Sequence, residues 1–437
     1  ACKDPVEKMN LVDVLQHLGI DHHFKEQIDT TLNNIQGAEF SSSSLHEVSL
    51  HFRLLRQHGF WVSAGKFDKF KQEDGSFTND ITNDAKGLLS LYNAANLLNH
   101  NEEVLEEALL FARRHLELIQ SGLKSPLAEQ VGHNIITQWW KDLSQDIGLE
   151  YGRDRIVECY FWAYRVCYEE EHARARMILV KLFMLTSLLD DTYDDHATLE
   201  ECRELSEAIE RWDEGDISLL PEDIKKFYLK VIKNFTVFDD ELEPYEKYRN
   251  AYAKKAFQLI SKSFLQEVEW CHQGNIPSFN DHVNVSTISA GIQLLCVGLL
   301  VGMGDVATKE VFEWVIGSDN DVIRACALVT RFMDDMADFK RGKNKTDVVT
   351  TVECYMKEQN VTSEVALDKI ESFVEDAWKT LNQALIENHA LLPVVQRVTN
   401  FAMSMIVFFH DKIDRYTNSE ELKETLESLF VKHIPLY

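Results

Sequence analysis

Apolar residues recur at intervals of three and four positions along most of the chain, a pattern that predicts amphipathic α-helices. Up to about Pro126 the predicted helices are short. Ser41–Ser44 forms a polar loop that offers an N-cap to one of them. The helices predicted in this part are Leu11–Leu18, Leu45–Phe52, Asp84–Leu98 and Val104–Leu118.

From Ile135 onward the apolar stretches are longer and richer in aromatic residues, which predicts a second, larger helical region. Near Val131–Asn134 the register changes abruptly, which indicates either a domain boundary or a missing segment. Asp281–Gly291 is either a helix broken by small polar residues that face a cavity, or a plain loop. The helices predicted here include Ile156–Tyr164, Arg174–Leu189, Asp223–Phe235, Glu241–Gln273 and Val322–Met333.

Composition favours long helices over a sheet-rich fold. The chain has 437 residues, enough for two domains, and only 7 Pro and 18 Gly to interrupt helices. Its formal net charge of −27 argues against a nucleic-acid binder or a protein of anionic membranes. A phosphorylated small molecule stays compatible with this charge, because a bound divalent cation reverses the local sign of an acidic site.

The eight cysteines form no CxxC pair, which disfavours both a zinc site and a dense disulfide framework. Reduced thiols and a cytoplasmic location are therefore expected. No membrane span is predicted, because the best apolar run, Gly291–Met303, is short and is interrupted by Gln293. The chain begins without Met, and we interpret it as a fragment that leaves room for a lost targeting peptide.

The candidate chemistry lies in Leu188–Asp195, where an apolar helix gives way to a cluster of acids. Asp190 and Asp194 are four residues apart and share one helix face, with Asp191 beside them. Such carboxylates suit Mg²⁺, a hard cation that takes oxygen ligands and keeps some waters. The alternative is a solvated helix end, which the helix dipole disfavours because negative charge at a C-terminus opposes it.

A second cluster repeats this pattern after the predicted helix Val322–Met333. Asp334 and Asp338 again lie four residues apart, with Asp335 next to the first. If the two helices face each other, the clusters would hold several Mg²⁺ ions at the mouth of a cavity. The basic stretch Phe339–Thr346, which includes Lys340, is either a solvated loop or a cationic lid beside that site.

These features imply a substrate with a diphosphate head and a hydrocarbon tail. Mg²⁺ makes diphosphate a better leaving group, and the allylic cation that remains needs a cavity poor in water. Aromatic rings attract such a cation by about 0.5–2 kcal/mol each. The candidate donors to diphosphate are Arg153, Arg155 and Arg331. The candidate rings, which fit plain core packing equally well, are Trp162, Phe332 and Phe409.

Three segments together resemble those of plant class I terpene synthases of the sesquiterpene type: Arg153–Trp162, Asp190–Asp194 and Val352–Met356. Upstream, Leu54–Ala64 and Gly87–Ala95 resemble the N-terminal domain of the same family, so the resemblance covers almost the entire chain. It implies an all-α protein with two helical domains. These are an N-terminal α-barrel over residues 1–132 and a C-terminal class I terpenoid synthase α-bundle over residues 133–437.

The resemblance also implies an activity. The expected enzyme is a lyase that ionises farnesyl diphosphate with Mg²⁺, cyclises the allylic cation to a sesquiterpene hydrocarbon or alcohol, and releases diphosphate. Three Mg²⁺ ions are expected as cofactors, with Mn²⁺ as an alternative. The implied partner is the small-molecule allylic diphosphate, with no nucleic acid, and a monomer is expected.

Site residues follow by position in the family motifs. Asp190, Asp191 and Asp194 match the first metal motif, and Arg153, Arg155 and Arg331 match the arginines that bind diphosphate. Trp162 matches a pocket aromatic residue and Asp414 an acid deep in the pocket. Further expected contacts of the substrate are Lys340, Phe332 and Phe409, the last at a position where some relatives carry Tyr.

The second metal motif departs from the usual family pattern, Asn/Asp-Asp-x-x-Ser/Thr-x-x-x-Glu. Asp338 stands at the Ser/Thr position and Gly342 at the Glu position. However, Asp334–Asp338 is itself a DDxxD motif, which resembles the second cluster of isoprenyl diphosphate synthases and of a minority of sesquiterpene cyclases. We therefore expect Asp334, Asp335 and Asp338 to bind metal, with Asp338 replacing the lost ligand.

Other functions fit part of this pattern. A chain-elongating isoprenyl diphosphate synthase would also carry two DDxxD clusters, and a monoterpene synthase would act on geranyl diphosphate. A third hypothesis is a non-catalytic helical scaffold whose acids bind structural metal or nothing. The Arg153–Trp162 segment and the large N-terminal domain favour the cyclase.

Overall fold

The computed structural model describes residues 4–17, 24–37, 40–97, 102–119, 127–213, 215, 217–317, 320–342, 348–423 and 426. Across these residues the regular structure is helical, apart from one isolated antiparallel bridge between Lys71 and Phe77. Several predicted features fall outside the described residues: Leu18 and Leu98 at the ends of two predicted helices, and residues 343–346 of the basic stretch.

Eighteen α-helices form within the described residues. In chain order they are α1 (Pro5–His17), α2 (Lys25–Gln36), α3 (Leu45–Gln57), α4 (Ala85–Ala95), α5 (Glu103–Ile119), α6 (Leu127–Ile147), α7 (Ile156–Val166), α8 (Ala173–Asp191), α9 (Leu199–Arg211), α10 (Glu222–Glu241), α11 (Tyr248–His272), α12 (Phe279–Ser289), α13 (Ile292–Val301), α14 (Lys309–Ile316), α15 (Asp321–Arg341), α16 (Thr351–Gln359), α17 (Ser363–Glu387) and α18 (Leu392–Phe408).

The chain divides into two compact units, Ala1–Ile135 with Leu422–Tyr437, and Ile136–Glu421. The predicted boundary between residues 132 and 133 lies inside α6, which continues without interruption across the abrupt register change near Val131–Asn134. In the first unit the predicted N-cap is confirmed, because the Ser44 side chain accepts the backbone N–H of Glu47 at 3.4 Å.

Two predicted helix boundaries were wrong. The helix predicted over Glu241–Gln273 begins only at Tyr248, because Pro244 cannot continue a helix and α10 ends at Glu241. The second acidic cluster lies inside α15 rather than after its end. Met336 and Ala337 explain this continuation, because both are 3 % exposed and extend the buried face of the helix past the acids.

Helix α8 lies at the centre of the second unit and is buried on nearly all sides, with α7 and α13 packed against it. Gly298 of α13 and Gly302, which caps its C-terminus, let the two helices approach closely. A Cβ atom added at Gly302 would lie 2.5 Å from the Cα of Ala175 at the start of α8, too close for any side chain. This approach fixes the axial position of α8, whose far end carries the first acidic cluster.

Within the described residues, one segment is long and apolar enough to cross a membrane, Phe279–Val301. It is two helices, because Gly291, with φ of 78°, breaks it between α12 and α13. Since 72 % of its most apolar window is buried inside the protein, we assign it to the core. The seven cysteines that the structure describes are free thiols, as predicted, whereas Cys2 lies outside the described residues.

The close packing of α8 and α13 predicts a specific sensitivity. Gly302→Ala should lower the free energy of unfolding by about 1–3 kcal/mol, because the added methyl group meets rigid backbone. Gly317→Ala is the matched control, since its Cβ would approach other atoms no closer than 3.4 Å. Thermal unfolding midpoints measure both effects. Equal midpoints for wild type and Gly302→Ala would contradict the proposed constraint.

Candidate active site

A cavity of about 410 Å³ opens in the second unit where the acidic helices come together. Its wall is formed by α7, α8, α11, the break between α12 and α13, α15 and the segment after α18. The lining residues are Arg153, Trp162, Phe183, Thr186, Ser187, Asp190, Asp191, Asp194, Asp195, Phe264, Glu267, Ser289, Ala290, Gly291, Leu295, Thr330, Arg331, Asp334, Asp338, Arg341, Val348, Thr350, Phe409, Asp414, Tyr416 and Thr417. Acids of both predicted clusters therefore face one space.

The first acidic wall is the C-terminal end of α8, and Arg153 is bound to it. One guanidinium nitrogen of Arg153 lies 2.8 Å from Asp190 Oδ2, and its Nε lies 2.6 Å from Asp191 Oδ1. The backbone N–H of Arg153 also donates to Asp191 Oδ2 at 2.8 Å. Arg153 thus holds both carboxylates at the mouth of the cavity and partly offsets their charge.

A π-helical turn, Thr192–His196, follows α8 and carries the rest of the first cluster. The Thr192 hydroxyl donates to the Leu188 carbonyl at 2.6 Å, and the buried Tyr193 hydroxyl lies 2.9 Å from that of Ser261 on α11. These contacts fix the turn, so that Asp194 stays on the cavity side with Asp190. Wide turns of this kind are frequent at functional sites.

The second acidic wall lies on α15, where Arg331 has the role that Arg153 has on the first. Arg331 Nη1 lies 3.1 Å from Asp334 Oδ2 and 3.2 Å from Asp335 Oδ1. Asp334 and Asp338 line the cavity, but Asp335 is outside the lining. Its other carboxylate oxygen accepts the backbone N–H of Thr351 at 2.5 Å and also the Thr351 hydroxyl. Asp335 therefore joins α15 to the start of α16.

Small residues at the end of α12 and directly after it line the cavity between the walls. Ser289, Ala290 and Gly291 line the cavity where the helix breaks. Arg331 Nε donates to the carbonyl of Ser286 at 3.2 Å. Of the two interpretations left open for Asp281–Gly291, the plain loop is wrong; the small polar residues do not interrupt α12, which runs to Ser289, and the break that faces the cavity lies at Ala290 and Gly291.

Glu267 on α11 was missed by the sequence analysis. Its carboxylate accepts the Ser289 hydroxyl at 2.8 Å and lines the cavity between the two walls. Burial raises the pKa of Glu267 to about 7, and the charges of Asp190 and Asp335 add to this rise although Arg331 opposes it. One pattern in the sequence pointed to it, since Glu267 follows Ile260 and Phe264 at helical spacing on the buried face of α11.

The cavity carries a large excess of negative charge. Among the described lining residues, eight are acidic and three are arginine. Burial raises the pKa of Asp191 to about 6 even though Arg153 opposes the shift. Oxygen donors on two walls suit Mg²⁺, which prefers carboxylates together with water and substrate oxygens. No three acids, cysteines or histidines of the described residues converge closely enough to hold an ion alone.

Deeper in the cavity the lining is aromatic. The Trp162 ring stacks on Phe408 with centroids 4.3 Å apart, and Phe183 packs beside it at 5.1 Å. Tyr416, which the sequence analysis also missed, contacts the edge of Trp162 at 5.9 Å, and its hydroxyl donates to Ser187 at 3.1 Å. The charged mouth thus leads into a pocket with aromatic side walls.

Asp414 lies in the segment after α18 and lines the cavity. One of its oxygens accepts the backbone N–H groups of Tyr416 and Thr417, both at 2.9 Å. Arg155, outside the cavity lining, donates to the Thr417 carbonyl at 2.7 Å and so braces the same segment. These bonds explain how a loop holds Tyr416 in a fixed place.

Two other residues predicted to contact substrate lie outside the cavity lining. Phe332 packs among rings of the core, with centroid distances of 6.4 Å to Phe279 and 6.1 Å to Phe373. Lys340 is exposed and faces a second cavity on the other side of α15. Neither side chain lines the cavity between the acidic walls.

Known protein families match both units. The family described as "Terpene synthase, N-terminal domain" matches residues 1–135, and "Terpene synthase family, metal binding domain" matches residues 141–380. Among curated relatives, the chain is 68% identical to an alpha-copaene synthase of Zea mays, covering 100% of this chain and 92% of the relative. It is 58% identical to a tau-cadinol synthase of Zea mays, covering 100% and 90%.

A solved structure supports the fold. This is the crystal structure of isoprene synthase from grey poplar leaves in complex with three Mg²⁺ ions and dimethylallyl-S-thiolodiphosphate. It matches with a TM-score of 0.62 at 24% identity, covering 98% of this chain and 92% of that one. Together with the two family matches, it confirms the predicted helical fold with two domains. The alignment with the alpha-copaene synthase spans 496 positions, more than the 437 residues of this chain, so that relative carries insertions.

The burial of these acids, with their neighbouring negative charges, predicts an unusual pH dependence of stability. The folded state raises the pKa of Asp191 to about 6 and that of Glu267 to about 7, whereas the unfolded values are 3.8 and 4.5. The folded protein therefore binds more protons than the unfolded chain in this window, and stability should fall as pH rises from about 4 to about 7. Mg²⁺ should reduce this loss.

Glu267→Gln tests this prediction. The variant should be more stable than wild type at about pH 8 by roughly 1–3 kcal/mol, and nearly equal at about pH 5, since each pKa unit corresponds to about 1.4 kcal/mol. Glu364→Gln, an exposed acid in the first turn of α17, is the control for the charge change. Thermal unfolding without metal measures the difference. A Glu267→Gln variant with the pH profile of wild type would contradict the prediction.

Proposed function

The chain belongs to the terpene synthase family, and from this premise we propose that it is a sesquiterpene synthase. It would ionise farnesyl diphosphate with the help of Mg²⁺, cyclise the allylic cation and release diphosphate together with a hydrocarbon or an alcohol. The observation that carries this proposal is the single cavity whose mouth has two opposed acidic walls and whose interior is aromatic. The names of the two maize relatives, both sesquiterpene synthases, support the substrate class.

The diphosphate end of the substrate fits the acidic mouth. Carboxylates that would hold metal are Asp190, Asp191 and Asp194 on one wall, Asp334 and Asp338 on the other, and Glu267 between them. Three Mg²⁺ ions are proposed, supported by the three Mg²⁺ ions named in the isoprene synthase complex, and Mn²⁺ is the alternative. Bound metal would neutralise the diphosphate and make it a better leaving group.

Arg153 and Arg331 are the protein's own donors for the diphosphate. Each guanidinium lies within 3.2 Å of acids on its own wall, and both line the cavity. A diphosphate between the walls would therefore meet a fixed cationic donor on either side. Charge grows on the leaving diphosphate as the C–O bond breaks, so donors already in place favour that step. We leave Asp335 out of the proposed metal ligands, because its carboxylate already accepts hydrogen bonds from Thr351 and lies outside the cavity lining.

The hydrocarbon tail fits the aromatic interior. Trp162, Phe183 and Tyr416 surround it, and each ring face attracts a carbocation by about 0.5–2 kcal/mol. Rings packed around the tail would keep water away, so that the cation survives long enough to cyclise. A cytoplasmic location and a monomeric state remain predictions from sequence, and the seven free cysteines of the described residues support a reducing compartment.

Incubation with geranyl, farnesyl and geranylgeranyl diphosphates plus Mg²⁺ tests the proposed function. Mass spectrometry of the volatiles should identify cyclic hydrocarbons or alcohols from farnesyl diphosphate as the main products, with release of diphosphate. Geranyl diphosphate as the preferred substrate would instead support a monoterpene synthase. A longer diphosphate formed only when isopentenyl diphosphate is added would indicate chain elongation. If the chain releases diphosphate from none of the three, the proposal is wrong.

Asp338→Ala tests whether the second wall contributes to catalysis. The variant should lose turnover by about 10²–10³-fold, the scale for removing one preorganised electrostatic contact. It should also need more Mg²⁺ for half-maximal rate. Asp321→Ala removes an exposed carboxylate from the first turn of the same helix and should keep wild-type activity. Near-wild-type turnover of Asp338→Ala would show that Asp338 does not replace the missing ligand.

A further inference from the structure

A second cavity, of about 540 Å³, lies beside α15 and has no place in the proposed chemistry. Its lining residues are Met333, Met336, Lys340, Glu371, Val374, Trp378, Ile406, Phe409, Asp411 and Lys412. Ile406 is 49 % exposed, and Lys340 and Glu371 are also exposed. Charged, solvent-facing side chains at its rim make this cavity accessible to water.

The two cavities lie on different faces of α15. Asp334 and Asp338 point into the first, and Met333 and Met336 line the second. Because successive helical residues are turned by about 100°, neighbouring positions can face separate spaces. Helix α15 therefore separates the first cavity, between the acidic walls, from the second cavity along most of the length of the helix.

Phe409 closes the gap that α15 leaves. Among the described residues that line these cavities, it is the one residue common to both. Its ring is 6 % exposed, so it fills the space between them instead of lying open to either. The ring comes from the residue that follows the last turn of α18, beside the acids of the second wall.

The backbone holds Phe409 in this place by an unusual turn. Asp411 and Lys412 both have positive φ, 58° and 60°, a conformation that residues other than glycine rarely adopt. The turn is held by bonds from the Lys412 N–H to the Phe409 carbonyl at 3.2 Å and from the Arg415 N–H to the Phe408 carbonyl at 2.8 Å. Lys412 also pairs with Glu371 of α17 at 2.8 Å.

Water decides between two fates of the carbocation. In one, a neighbouring C–H bond gives its electron pair to a new C=C bond and its proton to a base, and a hydrocarbon leaves. In the other, a lone pair of water forms a C–O bond and one O–H proton passes to solvent, so that an alcohol leaves. The second outcome needs a water molecule within reach of the cation.

We propose that the Phe409 ring is the seal that keeps water of the second cavity away from the carbocation, so that its size sets the fraction of alcohol among the products. This inference rests on the proposed function, because it concerns the same cavity and the same cation. It assigns to Phe409 a role in specificity that requires only its bulk. The substitution of a smaller residue joins the two cavities through the gap beside α15.

The experiment compares the products of farnesyl diphosphate in water enriched with oxygen-18. Wild type should release mainly hydrocarbon. Phe409→Ala should raise the labelled alcohol fraction several-fold, and Phe409→Leu should raise it less. Trp378→Ala is the matched control, because it removes a ring that lines only the second cavity and so enlarges that cavity without joining it to the first. Its alcohol fraction should stay near the wild-type value.

A second-site variant adds a direct test of the route of water. Ile406 lines only the second cavity, so Ile406→Trp in the Phe409→Ala background should refill the gap and lower the alcohol fraction again. An alcohol fraction unchanged in both Phe409 variants, or raised equally in Trp378→Ala, would overturn the proposal. Failure of the proposed function gives a different result, since wild type would then form no volatile product from farnesyl diphosphate.

Discussion

The structure depends on one electrostatic constraint: two groups of carboxylates are held facing each other in a partly buried space. Like charges at close range repel, and burial removes the water that would screen them. The protein offsets part of this cost with Arg153 and Arg331, one on each wall. The remaining strain is visible in the raised pKa values of Asp191 and Glu267. The negative charge of such a site favours the binding of divalent cations together with the oxygens of a substrate.

The rest of the second unit fixes the positions of the two acidic walls relative to each other. Glycines at the α8–α13 contact fix the depth of α8, and the turn Thr192–His196 returns its acids to the cavity. The break at Gly291 lines the space between the walls. Beyond the acids, the packed rings around Trp162 give the cavity an apolar interior. All of these features serve one function. A metal-dependent reaction through a carbocation needs acidic residues at the mouth of the cavity and an interior that excludes water.

The acidic spacing in the sequence predicted the two walls, and helical periodicity predicted which residues form the helices around them. Which other side chains line the cavity could not be predicted in this way, because this depends on how helices distant in sequence pack against each other. Asp335 belongs to the motif, yet its carboxylate turns to Thr351, and Phe332 lies in the core. Glu267 has no motif around it and enters the site only because α11 faces the break after α12. Pro244 was visible in the sequence and should have placed the start of the helix predicted there after the proline.

The most direct test of the central claim is the binding of inorganic diphosphate to the wild-type protein, measured by calorimetry with and without Mg²⁺. If the two acidic walls act together as a cation-dependent clamp, diphosphate should bind tightly with Mg²⁺ present and show no measurable binding when the metal is chelated. The heat of binding should also depend on pH, because protons leave the carboxylates when metal binds. Equal affinity for diphosphate with and without Mg²⁺ would contradict the account, since the arginines alone would then form the site.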